Sequence, residues 1–139
     1  MAQRLVLVDT SVWIEYLRNG HGQGAEVLDN LLSDGNVAIC EPIIAEVLSG
    51  IKSKSQFSEL RKRLAALYVL RAPDDIWYII AQKRALLSAK GFQTSLIDLW
   101  IAQVAFQHHV LLWTLDKDFE IITQAIPYEK FSPNIISRA

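Results

Sequence analysis

The chain has 139 residues, 51% hydrophobic and 21% charged, with a formal net charge of -1; these are the proportions of one globular domain spanning residues 1–139. Cys40 is the lone cysteine, so an internal disulfide is excluded, and a single thiol in an apolar stretch reads as inert packing in a reducing, cytoplasmic setting. The longest apolar run, Leu64 to Leu70, falls far short of the ~20 residues of a membrane span, and Leu5 to Val8 is shorter than the about 7 to 15 apolar residues of an export signal.

Leu5 to Val8 has the pattern of a strand buried on both faces, and it stops abruptly at Asp9. A helix is expected over Ser11 to Arg18. Gly20 to Gly24, which contains His21, reads as a flexible turn, and Val27, Leu28, Leu31 and Leu32 then form a helical stripe within Ala25 to Leu32, closed by Gly35. Val37 to Cys40 predicts a second strand. Pro42 suits a first helical turn, and Ile43, Ile44, Val47, Leu48 and Ile51 form the stripe of a helix that carries Glu46.

A basic helix from about Ser55 to Ala66 leads into a third strand, Leu67 to Leu70, and Pro73 opens a long helix toward Lys90. Thr94 or Ser95 can cap a helix that runs to about Gln107 and contains Asp98. Val110 to Trp113 predicts the fourth strand, Asp116 to Ile122 a short helix, and the tail an irregular segment or a small edge strand. Strands alternating with helices imply an α/β fold, a three-layer α/β/α sandwich around a mainly parallel sheet, and such sheets bind ligands at the carboxyl ends of their strands.

Four acids stand out in this arrangement. Asp9 directly follows the first strand and Asp116 closely follows the fourth, so both belong at the ligand-binding edge. Asp98 interrupts the apolar segment Leu96 to Ala102, and Glu46 is flanked by Ile43, Ile44, Ala45, Val47 and Leu48, so both are expected near the interior. Each has a local alternative as a helix cap or an ion-pair partner, but the flanking segments offer few bases: Arg4, Arg18, Lys117, Lys130 and Arg138. Crowded carboxylates need a positive partner, and hard divalent cations with oxygen ligands supply it, which points to Mg²⁺ or Mn²⁺. Zinc is disfavoured by one cysteine and three histidines, of which the adjacent His108 and His109 are expected to complement a helix C-terminus. No Gly-x-Gly-x-x-Gly, P-loop or Gly-x-Ser-x-Gly pattern is present.

Leu5 to Trp13 (LVLVDTSVW), Glu46 to Gly50 (EVLSG), Asp98 to Ala105 (DLWIAQVA) and Thr114 to Phe119 (TLDKDF) resemble, in this order, the PIN-domain ribonucleases, and among them the VapC-type toxins of toxin–antitoxin modules. The resemblance implies a Mg²⁺- or Mn²⁺-dependent endoribonuclease whose catalytic and metal-binding acids are Asp9, Glu46, Asp98 and Asp116. Asp118 either joins the metal or caps the following helix. Thr10 and Thr114 match positions whose hydroxyls hold a water or a carboxylate in place. Asp9, Asp98 and Asp116 are assigned to direct coordination, and Glu46 either completes the shell through water or orients the attacking water. The family leads to an expectation of 5′-phosphate and 3′-hydroxyl ends.

An acidic pocket repels RNA, so neighbouring bases must draw it in. The charge is indeed segregated: residues 52–90 carry a net +6 between an N-terminal part at -5 and a C-terminal part at -2. Lys52, Lys54, Arg61, Lys62, Arg63, Lys83 and Arg84 are the RNA-binding candidates, and Trp13, Trp77, Trp100 and Trp113 are assigned to core packing. The resemblance also implies a VapB-type antitoxin and a homodimer, with the apolar surface around Trp13, Ile14 and Leu17 as part of either contact. Alternatives are a housekeeping PIN nuclease of RNA processing, a non-catalytic binding module of the same fold, and a phosphoacceptor receiver domain, which expects an acidic pair where Asp9 is followed by Thr10 and Ser11.

Overall fold

A computed structural model describes residues 4–133 of the chain; Arg138 lies outside them. Five strands, β1 (Val6–Val8), β2 (Val37–Ile39), β3 (Tyr68–Val69), β4 (Leu111–Trp113) and β5 (Glu129–Lys130), form one sheet in the order β3-β2-β1-β4-β5. Every neighbouring pair is parallel. The sheet is flanked by α1 (Thr10–Asn19), α2 (Gly22–Ser33), α3 (Glu41–Ser49), α4 (Lys54–Ala65), α5 (Ile76–Ala89), α6 (Leu96–Gln107) and α7 (Asp118–Ile122). This is the expected α/β class. No helix among the described residues is long and apolar enough to cross a membrane.

The position of β1 follows from its composition. Val6, Leu7 and Val8 are buried on both faces, which only an interior strand covered by helices can achieve. β1 pairs Val6 with Val37 of β2 on one side and Val8 with Trp113 of β4 on the other. Chain order therefore reverses across the β1–β4 boundary, and such a reversal opens a crevice beyond the carboxyl ends of the strands. The Asp9 amide donates to the Trp113 carbonyl at 2.8 Å, which extends the pairing into that crevice.

The helices behave largely as their stripes dictate. α6 buries every residue from Leu99 to Ala105, and the Ser95 hydroxyl caps it by accepting from the amides of Ile97 and Asp98. Cys40 is completely buried, and burial pushes its thiol up to about 12, consistent with inert packing.

Several expectations need correction. The glycine-rich turn is largely helix: Gly20, at φ 67°, ends α1, extended His21 precedes α2, and Gly22 to Gly24 form its first turn. β3 is a short edge strand with Tyr68 62% exposed, because it has a single strand partner. Trp13, Trp100 and Trp113 lie in the core, whereas Trp77 is 53% exposed at the start of α5. His108 and His109 do stand at the C-terminal end of α6, as expected, and they also tie it to its surroundings. The His108 ring nitrogen Nε2 lies 2.7 Å from the Arg71 carbonyl, and His109 adopts φ 57°, with its carbonyl accepting from Arg4 Nε and Nη2.

Leu112 lies at the centre of β4 with no exposed surface. Leu112→Ala should destabilise the fold by about 3 kcal/mol in urea denaturation, through lost burial and an unfilled cavity. A loss below about 1 kcal/mol would contradict this packing.

Candidate active site

The chain leaves β1 at Asp9 in an extended conformation and turns at once into α1, so the Asp9 side chain serves as the helix N-cap. Asp9 is buried, 5% exposed. Its Oδ2 accepts from the Ser11 hydroxyl at 2.8 Å, the Thr114 hydroxyl at 2.8 Å and, at a longer 3.4 Å, the Ser11 amide. These donors offset the cost of burying the charge. No hydrogen bond among the described residues reaches Oδ1. The two hydroxyls are themselves held by the loop after β4: the Leu115 amide donates to Ser11 Oγ at 2.9 Å, and the Asp116 amide to Thr114 Oγ1 at 3.0 Å.

Glu46 reaches the same edge from α3. The Thr10 hydroxyl donates to its Oε1 at 2.6 Å, joining the first residue of α1 to the second turn of α3. Glu46 is exposed rather than interior, because the buried stripe of α3 is Ile43, Val47 and Leu48. Asp116 and Asp118 are exposed as well. Asp116 lies in the loop rather than in the predicted helix, and its Oδ1 accepts from the Asp118 amide at 2.9 Å, so Asp116 restrains the start of α7 and Asp118 does not. Thr10 and Thr114 both hold carboxylates.

Asp98, half-buried in the first turn of α6, ties the group together electrostatically. Its carboxyl is pushed up to about 6 from an ordinary 3.8, first by burial and then by the negative charges of Asp9, Asp116, Glu46 and Asp118. Five acids from β1, α3, α6 and the β4–α7 connection thus act on one region. The ion pairs among the described residues are Arg4–Glu129, Arg63–Glu59, Arg71–Glu41 and Lys130–Glu120, none of which involves these acids.

An all-oxygen donor set of this charge suits a hard divalent cation. Among the described residues no three acids or histidines stand close enough to enclose an ion by themselves. Mg²⁺ is commonly held through one or two carboxylates and several waters, so the unbonded Oδ1 of Asp9 and the unpaired Asp98 carboxyl fit that mode.

The basic residues lie outside the acid group. Lys52, Lys54, Arg61, Lys62, Arg63 and Arg84 are exposed, and Lys83 is half-buried. Arg63 pairs with Glu59 at 3.5 Å and its charge acts on the phenol of Tyr16 on α1; Arg84 Nε donates to the Thr94 carbonyl at 3.1 Å. On α1, Ile14 and Leu17 are exposed, whereas Trp13 is buried and so contributes no surface to a partner contact. Ser11 was not among the residues expected from sequence. The signal was present in Asp9-Thr10-Ser11, where a hydroxyl two positions after an N-cap can return to the cap carboxylate.

The folded chain binds the Asp98 proton more tightly than the unfolded chain, so ionisation costs stability above about pH 4, fully so above about pH 6. Without divalent cations, Asp98→Asn should melt a few degrees higher than wild type at pH 8, with the gap closing toward pH 4. A lower melting temperature for the variant at pH 8 would show that the charge is compensated.

The PIN domain family matches residues 6–124. Ribonuclease VapC11 of Mycobacterium tuberculosis is 32% identical over 124 residues, covering 86% of this chain and 92% of the relative. Among solved structures, VapBC-1 from nontypeable Haemophilus influenzae superposes with a TM-score of 0.73 at 20% identity, over 92% of this chain and 97% of that one, and so shows the fold. A toxin–antitoxin complex from Klebsiella pneumoniae superposes with a TM-score of 0.63 at 26% identity, over 89% and 98%. The match across β1 to β4 and the acid-bearing segments, together with the identity to VapC11, establishes that the chain belongs to the PIN-domain family as a relative of the VapC ribonucleases.

Proposed function

We propose that the chain is a Mg²⁺- or Mn²⁺-dependent endoribonuclease, the toxin of a type II toxin–antitoxin pair acting in the cytoplasm. The observation that supports this reading is the approach of Asp9, Glu46, Asp98 and Asp116 at the carboxyl edge of the sheet with no cationic side chain among the described residues paired to any of them. The relationship to VapC11 supports RNA as substrate. The antitoxin assignment draws on the toxin–antitoxin complex that shares the fold, with exposed Ile14 and Leu17 on α1 as the apolar contact for an antitoxin segment or a second copy.

When bound, a divalent cation supplies positive charge to the scissile phosphate and makes water acidic enough to react at neutral pH. Asp9, Asp98 and Asp116 would hold such a cation, and Asp118 would add negative charge beside it. Ser11 and Thr114 occupy Asp9 Oδ2, so this carboxylate presents one oxygen in a fixed direction. Thr10 fixes Oε1 of Glu46 and leaves Oε2 to orient the attacking water and accept its proton. The exposed bases of residues 52–84 attract RNA toward a centre that would otherwise repel it.

Asp9→Asn or Asp98→Asn should abolish Mg²⁺-dependent RNA cleavage while leaving a folded chain, as read by product gels beside circular dichroism. Cleavage at the wild-type rate by purified Asp98→Asn would remove the site assignment. Cleavage that persists in excess EDTA would instead remove the metal. Replacing Arg61, Lys62 and Arg63 together with Gln should weaken RNA binding and flatten its dependence on salt; an unchanged slope would assign these residues to a solvated face.

A further inference from the structure

We propose that Ser11 is a positioning residue of the acidic centre, acting through Asp9 to hold the loop that carries Asp116 in ligating register. The inference rests on the cation-binding reading above and adds a residue to it. Its basis is a relay of hydrogen bonds with defined direction. The Leu115 amide donates to Ser11 Oγ at 2.9 Å, and the Ser11 hydroxyl donates to Asp9 Oδ2 at 2.8 Å. A second relay reaches the same oxygen one residue further along the loop: the Asp116 amide donates to Thr114 Oγ1 at 3.0 Å, and that hydroxyl donates to Asp9 Oδ2 at 2.8 Å.

A hydroxyl has one proton and two lone pairs, so each of these oxygens receives an amide and passes its own proton to the carboxylate. The outcome is a bridge between two connections that are distant in sequence. Ser11 stands on α1 and Leu115 on the β4–α7 loop, and the bond between them adds a side-chain lock to the Asp9–Trp113 backbone pair that already joins β1 to β4. Thr114 ties the loop to Asp9 through its own hydroxyl, and Ser11 adds a second tie, from α1 to the amide of the next residue, Leu115. Ser11 reaches the loop from outside.

Both relays end on Oδ2, so rotation of the Asp9 carboxylate is blocked and Oδ1 is left for the cation. Without Ser11, Asp9 loses one of its two hydroxyl donors and the Leu115 amide loses its acceptor. The loop then keeps only the Thr114 hydroxyl and the Asp9–Trp113 backbone bond as ties to β1, and Asp116 is held less firmly. Groups that orient metal ligands from behind commonly change metal affinity by about 10- to 100-fold.

The test is isothermal titration of the full chain with Mn²⁺ in wild type, Ser11→Ala and Ser11→Thr. Ser11→Ala should bind Mn²⁺ about tenfold more weakly, and Ser11→Thr, which restores the hydroxyl, should bind within a few fold of wild type. Should Ser11→Ala fail to fold, nearly isosteric Ser11→Cys replaces it; with its weak S–H donor it should bind Mn²⁺ several-fold more weakly than wild type, and an affinity equal to wild type overturns the role of Ser11. Equal affinity in Ser11→Ala and wild type overturns the role of Ser11, as does a threonine variant as weak as alanine, which would make side-chain shape rather than the hydroxyl the cause. Wild-type protein that takes up no Mn²⁺ overturns the cation centre itself, a result distinct from both.

Discussion

Mutual repulsion among carboxylates at one edge of the sheet is the constraint around which this molecule is built. Asp9, Glu46, Asp98, Asp116 and Asp118 act on a common region, and the carboxyl of Asp98 registers their combined charge together with its own burial. Around buried Asp9 and half-buried Asp98 such a concentration of negative charge is costly unless neutral donors or a cation offset it. The chain supplies donors sparingly. Three hydroxyls, from Thr10, Ser11 and Thr114, occupy one oxygen each of Glu46 and Asp9, while Asp98 retains none among the described residues. Orientation is thereby secured without neutralising the charge.

The sheet order explains why the acids meet. β1 is the innermost strand, with β2 and β4 on either side, so the chain reverses direction of winding next to Asp9. The connection after β2 delivers α3 with Glu46, and the connection after β4 delivers Thr114 and Asp116. Asp98 arrives by another route, in the first turn of a helix that buries every residue from Leu99 to Ala105, and there the positive end of the helix dipole partly offsets its charge. The rigid core beneath these segments keeps the acids near one another, and the small hydroxyls adjust their orientation.

Much of this was legible in the chain. The apolar run Val6–Val8 ending at Asp9, the buried stripe of α6 interrupted at Asp98, and the Ser95 cap follow from local pattern and capping chemistry, which depend on near neighbours in sequence. The exposure of Glu46 was not legible, because apolar neighbours on a helix do not say which side faces a crevice. Trp77 is a similar case: α5 opens with an unbroken apolar run from Ile76 to Ala81, so no stripe there identifies the buried side. Ser11 and Leu115 meet across more than one hundred residues, and only the register of β1 against β4 brings them together. Long-range pairing is decided by the fold as a whole, and local signals do not contain it.

The central claim, that these acids gather around a divalent cation, is tested most directly by anomalous diffraction from crystals grown in Mn²⁺. The account predicts a manganese peak within coordination distance of Asp9 Oδ1 and of the carboxyls of Asp98 and Asp116. Crystals saturated with Mn²⁺ that show no peak there, with the acids instead paired to arginine or lysine, would contradict it.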